Sequence, residues 1–210
     1  MTQPATTSPR APRPSMDLPD TLRFAELEPV AWRNGGGVTR ELARGPAHEA
    51  GPGWRVSLAE LERAGPFSAF AGLARHFTVI GAHPVTLMLA GRRVELAPLE
   101  SLAFAGDAAV DCLLPDGPSR ALNLMYNPRH WRADVAWLDP GVALTRDPGC
   151  ETLLLAVAGG ARLAGSVSAR LDCGDAWHWR RLGSPATPLS YTLEAPHTAR
   201  LIRIDLQPLT

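Results

Sequence analysis

Side chains able to recognise a small molecule concentrate in three short segments. The first, Ala31-Trp-Arg-Asn-Gly-Gly-Gly-Val-Thr-Arg-Glu-Leu42, joins three consecutive glycines to Asn34, Thr39, Arg40 and Glu41. Successive glycines accept positive φ and let the backbone approach a ligand, and their amides can point into one concavity. The same composition also suits a plain turn leading into a strand. In the second segment, Trp54-Arg-Val-Ser-Leu-Ala-Glu-Leu61, period-two alternation sends Trp54, Val56 and Leu58 to one face and Arg55, Ser57 and Ala59 to the other. An arginine in mid-strand is either solvated or the polar wall of a pocket. In a pocket, its planar fork of donors suits a carboxylate. The third segment, Gly65-Pro-Phe-Ser-Ala-Phe-Ala-Gly72 with Arg75 beyond it, offers Phe67, Ser68 and Phe70 as a loop over a pocket mouth, or as a hydrophobic plug.

Other chemistry is excluded by residue type. All 21 basic residues are arginine, so phosphate loops ending in Gly-Lys, lysine Schiff bases and Ser-x-x-Lys hydrolases are absent. Gly35-x-Gly37 reaches Arg40 where a dinucleotide fingerprint needs glycine. Of the six histidines, His48, His76, His83, His130, His178 and His197, no two stand one residue apart, and His-Glu-x-x-His does not occur. No metal site and no cofactor is therefore expected, and His178 between Trp177 and Trp179 reads as a packing or surface residue. With 21 acidic residues balancing the charge, nucleic acid is not an expected partner. No apolar run is long enough to cross a bilayer and no signal-peptide core follows Met1, so a cytoplasmic protein without a membrane partner is expected. Cys112, Cys150 and Cys173 lack metal or disulfide spacing and are read as reduced.

The elements that must hold these residues are short strands. Apolar or alternating runs separated by Gly, Pro and Asp recur from Trp54–Leu61 through Phe77–Ile80, Val85–Leu89, Arg93–Leu96, Ser101–Phe104, Val110–Leu114, Ala121–Tyr126 and Ala133–Leu138. After a turn-rich stretch they resume at Thr152–Ala158, Ser166–Leu171, Ala176–Arg180, Leu189–Leu193 and Arg200–Leu206. This spacing predicts an all-β sandwich or barrel. One helical turn or two is predicted near Pro66–Gly72. Leu102-Ala-Phe-Ala-Gly-Asp-Ala108 echoes Leu171-Asp-Cys-Gly-Asp-Ala-Trp177, each before an apolar strand. The echo predicts a duplicated barrel, the layout of a bicupin. Residues 1–20, rich in Pro and Arg, are read as a disordered leader, with barrels at 21–138 and 139–210.

Trp32-Arg-Asn-Gly-Gly-Gly-Val-Thr-Arg-Glu41, Trp54-Arg-Val-Ser57, Gly65-Pro-Phe-Ser-Ala-Phe-Ala-Gly72 with Arg75, and Asn123-Leu-Met125 together resemble the HutD/Ves family in content and order. The resemblance implies a duplicated cupin-like barrel of RmlC-like jelly-roll type, without the usual cupin metal ligands. It also implies a role in bacterial histidine utilisation, sensing or limiting flux by binding a small acidic metabolite such as N-formylglutamate or urocanate. Carried over by position, it marks Asn34, Thr39, Arg40, Glu41, Arg55, Ser57, Phe67, Ser68, Arg75 and Asn123 as ligand-binding, with no catalytic residue. The family commonly has an acidic residue where this chain has Ala74. The expected partner is a small acidic metabolite, and a homodimer is an admissible assembly. In the resulting mechanism one or more of Arg40, Arg55 and Arg75 pairs with a ligand carboxylate while Glu41 orients an arginine. The alternative is a cupin-type enzyme, a metal-dependent oxygenase or an isomerase or hydrolase with Glu41 as base.

Overall fold

The computed structural model describes residues 18–46, 53–139, 141–164, 169–182 and 188–209. The leader up to Asp17, His48 and the start of the strand expected at Ser166 lie outside these residues. In chain order the strands of the first half are β1 (Asp20–Leu22), β2 (Pro29–Ala31), β3 (Gly37–Arg44), β4 (Trp54–Leu61), β5 (Gly65–Pro66), β6 (Ala74–Val79), β7 (Val85–Leu89), β8 (Arg92–Leu96), β9 (Ser101–Ala105), β10 (Val110–Leu113) and β11 (Ser119–Tyr126). The second half contributes β12 (Trp131–Leu138), β13 (Ala143–Arg146), β14 (Glu151–Ala158), β15 (Ala161–Leu163), β16 (Arg170–Leu171), β17 (Ala176–Trp179), β18 (Leu189–Glu194) and β19 (Arg200–Pro208). The only helical element among the described residues is a 3-10 turn at Phe24–Glu26. The helical turn expected near Pro66–Gly72 does not form. Gly65–Pro66 pairs with β10 instead, and the Phe67 and Phe70 amides donate to Val110 and Gly106.

Strand pairing demonstrates the duplication. One large sheet runs β2-β3-β4-β11-β6-β9 and the other β12-β19-β14-β17-β1, while the smaller sheets run β5-β10-β7-β8 and β13-β18-β15-β16. Removing β1, β2 and β3 leaves two eight-strand units with identical neighbour order, β4 to β11 matching β12 to β19. Each unit closes a large sheet over a small one, the all-β double barrel expected. The echo found in the sequence is, however, one strand out of step. Leu102 belongs to β9, whose topological counterpart is β17, whereas Leu171 belongs to β16, the counterpart of β8. Pairing also carries β12 to β19 of the second sheet, and β1 to β17, so both cross the division drawn at residue 138.

Three apolar clusters follow from this layering. Ala59, Leu61, Phe77, Val79, Leu87 and Ala121 fill the first barrel. Leu154, Leu163, Trp177, Trp179, Tyr191 and Leu201 fill the second. Between them the backs of the two large sheets meet through Trp54, Val56, Leu58, Leu124, Trp131, Leu153 and Ile204. A strand such as β4 is therefore covered on both faces, and alternation on it separates one core from another rather than core from water. The odd-numbered side chains of β4, Arg55 included, face the barrel interior.

Candidate functional site

Cross-strand register sets the site. Across the interior face of the first large sheet, Arg55 lies opposite Met125, Met125 opposite Arg75, and Arg75 opposite Phe104. The next row is Glu41, Ser57, Asn123, Phe77 and Leu102. Deeper still come Thr39, Ala59, Ala121 and Val79. The barrel lining thus grades from cationic at one end to apolar within, and the cationic end is its mouth.

Arg75 is the centre of this mouth. Its side chain is buried, at 5% exposure, yet the partners it has among the described residues are neutral. Nε and Nη2 donate to Asn123 Oδ1 at 2.9 and 2.6 Å. The guanidinium lies 4.2 Å from the Phe67 ring centre, 5.4 Å from Phe104 and 5.7 Å from Phe77. Burial, and then the positive charge of Arg55, push its pKa from the ordinary arginine value down to about 10, against a smaller opposing effect of Cys112. Among the described residues Arg55 is similarly without a carboxylate. Its Nη2 reaches Met125 Sδ at 3.6 Å, and its guanidinium sits 5.5 Å from the Phe70 ring centre. Phe67 and Phe70, from the loop between β5 and β6, therefore stack one ring on each guanidinium, as a loop over a mouth should. Cys112 lies beneath, its thiol pushed up to about 11 by burial despite Arg75, which keeps it protonated and unreactive at neutral pH.

Of the ten residues marked from the sequence, Arg55, Ser57, Phe67, Arg75 and Asn123 converge here. Glu41 faces the same interior. A bulge between Glu41 and Ala43 brings Arg44 onto that face as well, and Arg44 Nη2 donates to Glu41 Oε2 at 2.8 Å. Glu41 does orient an arginine, but it is Arg44. Thr39 stands one row deeper and accepts a 2.7 Å hydrogen bond from Trp32 Nε1. Ser68 is exposed on the loop.

Two residues go elsewhere. Arg40 has the opposite parity to Glu41 and points out of the barrel. There Nε pairs with Glu60 Oε1 at 2.9 Å, Nη1 donates to the Leu27 carbonyl at 2.7 Å, and the Phe24 ring lies 4.9 Å away. Asn34 staples a turn, its Oδ1 accepting from the Gly36 amide and its Nδ2 donating to the Pro66 carbonyl. The glycine triplet is not an anion cradle. The Gly35 amide is taken by Trp32, and the Gly36 carbonyl receives the amides of Glu62 and Arg63. Gly37 pairs with Leu61, six residues along β4 from Arg55 and so roughly 20 Å from the mouth. Reasoning from the sequence missed Met125, Phe77 and Phe104, although the parity of Asn123 and Arg75 on their own strands marks the first two.

A family model described as HutD matches residues 25–198. The chain belongs to the HutD family. It is 38% identical over 120 residues to an uncharacterised 21.2 kDa protein in the hutC 3' region of Pseudomonas putida, spanning 56% of this chain and 63% of that protein, just under two thirds of its length. It is 30% identical over 182 residues to the protein Ves of Citrobacter koseri, covering 85% of each. HutD from Pseudomonas fluorescens SBW25, solved in a formate condition, superposes with a TM-score of 0.79 at 30% identity, covering 91% of this chain and 99% of that one. This HutD-family chain thus stands in a histidine-utilisation context. Likenesses at about 10% identity to a cupin barrel protein of Leptotrichia buccalis and to the Escherichia coli pirin YhhW solved with nickel(II), at TM-scores of 0.55 and 0.60, establish the bicupin fold alone. The mouth of this barrel does not suit a metal ion. A guanidinium, an amide oxygen already bonded to it, a thioether and phenyl rings make a poor donor set, and two positive charges repel a cation.

Proposed function

We propose that this HutD-family protein binds a small carboxylate in the mouth of its first barrel and, in the bound state, limits or reports histidine utilisation. The observation that carries this reading is the buried Arg75 guanidinium, which among the described residues has an amide and three rings for neighbours and no carboxylate. A buried charge without a counterion is costly, and an anionic ligand supplies the missing partner. The second barrel offers an internal comparison. There Arg203, on the strand that matches β11, stands 2.6 Å from Asp205 Oδ2, and Asp205 also accepts from Thr152 at 2.7 Å. That barrel neutralises its own arginine, whereas the first leaves Arg75 and Arg55 to an incoming anion.

The mechanism is binding rather than bond making. Arg75 turns from Asn123 towards the ligand carboxylate, Arg55 adds a second donor fork, and Phe67 and Phe70 exclude water, which strengthens each charged hydrogen bond. Thermal-shift titration with N-formylglutamate, urocanate, glutamate and histidine tests it, since a ligand specific to the folded state raises Tm. At a hundredfold excess over Kd the gain is about 2.7 kcal/mol, or roughly 5 to 10 °C for a protein of this size. No shift with any of the four would remove the basis for the proposal.

A further inference from the structure

A groove of about 720 Å³ opens on the outer face of the same strands, between the first barrel and edge strand β12 of the second sheet. Its walls are set back because Ala74, Ala103, Ala105 and Ala133 stand where larger side chains would fill the gap, and Leu73 and Val135 complete an apolar lining. The polar groups are of a different kind from those of the mouth. His76 follows Arg75 on β6 and so points the opposite way, out of the barrel and into the groove. Burial lowers its pKa while Asp134 opposes the shift, which leaves a neutral imidazole beside a carboxylate at pH 7. The imidazole Nδ1 lies 3.4 Å from Thr78 Oγ1. Tyr126 and Asp107 also line the groove, and Arg129 stands in the turn between β11 and β12. Arg75 lines the groove as well, but its guanidinium is turned through the sheet onto Asn123. Among the described residues neither Asp107, Asp134 nor Arg129 is ion-paired, so the charged side chains left to the groove are two carboxylates and one guanidinium.

We infer that this groove is a second binding site, for a small organic cation: a protonated amine whose apolar body rests on the alanine walls and whose ammonium group meets Asp134 beside His76. The chemistry is complementary at each point. The acceptors available are a carboxylate, an uncharged imidazole and a phenol oxygen, which an ammonium group can satisfy together. The apolar walls bury the rest of the ligand, as in small-molecule sites generally. The site goes beyond the carboxylate reading of the mouth, selects the opposite charge and faces the other side of the sheet.

Benzylamine and benzoate, alike in size and opposite in charge, are the probes. Two-dimensional NMR of the ¹⁵N-labelled protein follows the amides of Ala103, Ala105, Ala133 and Val135. Benzylamine is expected to shift them saturably and benzoate to leave them in place. Asp134→Asn, a surface change, is expected to weaken benzylamine about fivefold, the scale of one partly exposed ion pair. Arg55→Lys, which alters the mouth and no residue of the groove, is expected to leave benzylamine binding intact, so failure here is separable from failure of the carboxylate proposal. The inference is overturned by any of three results: no saturable shift, equal shifts with benzoate, or unchanged affinity in Asp134→Asn.

Discussion

Replacing Arg75 tests whether its charge is held at an energetic disadvantage until a ligand arrives. A guanidinium whose pKa falls from the ordinary arginine value to about 10 has given up roughly 3 kcal/mol of charge stabilisation. Its hydrogen bonds to Asn123 return about 1.5 to 3 kcal/mol, and a desolvated stack such as that on Phe67 about 2 kcal/mol. These opposing effects nearly cancel. Methionine fills similar space without charge, but Arg75→Met alone strands Asn123 Oδ1 inside the barrel, at about 1 to 3 kcal/mol. Pairing it with Asn123→Leu removes both polar groups together. Without ligand, the double variant is expected to unfold within about 2 kcal/mol of the wild type, and the single variant to be at least 1 kcal/mol less stable than the double. Urea denaturation at pH 7, followed by tryptophan fluorescence, measures both. A loss above about 4 kcal/mol in the double variant would refute the reasoning, because Arg75 would then be a stabilising member of the core.

Other expectations follow from the same geometry. Arg40→Ala should leave ligand-induced stabilisation untouched, because its charge is satisfied outside the barrel by Glu60 and Leu27, while Arg55→Lys should weaken binding by losing the fork; calorimetric titration of both variants separates them. Gly37→Ala should destabilise by more than about 3 kcal/mol, since a Cβ there would stand 2.1 Å from the Glu60 carbonyl oxygen; thermal melting reads this, and a near-silent substitution would show that β3 and β4 are not so closely paired. Below its ordinary pKa of 6.5, His76 binds a proton more readily in the unfolded chain than in the fold. Stability should therefore decline as pH falls from 7 towards 5, by at most about 1.4 kcal/mol per pH unit from this group, and His76→Gln should flatten the profile.

The fold was largely legible from the sequence, the site only in part, and the differences have physical causes. Trp54–Leu61 and Val85–Leu89 are strands with the expected ends because alternation and flanking turns agree there. The segment at Gly37–Arg44 read equally as a ligand loop or as a turn leading into a strand, because its glycines and charges mask the alternation, and it is the strand that forms. Alternation tells which residues share a face but not what covers that face. Arg40 and Arg55 therefore looked equivalent until pairing of β3 with β4 put them on opposite sides. The internal echo signalled duplication correctly, yet it matched the turn after β9 with the turn after β16, and only hydrogen bonding fixes which strand matches which. The groove left no signal at all, because His76 and Asp134 meet there from strands of different sheets.

The central claim is that the first barrel holds a carboxylate on Arg75. A crystal structure of the wild type grown with whichever of the four metabolites raises Tm most tests it directly. The account predicts a ligand carboxylate within hydrogen-bonding distance of the Arg75 guanidinium, under the rings of Phe67 and Phe70. A ligand bound anywhere else, with Arg75 still on Asn123, would contradict it.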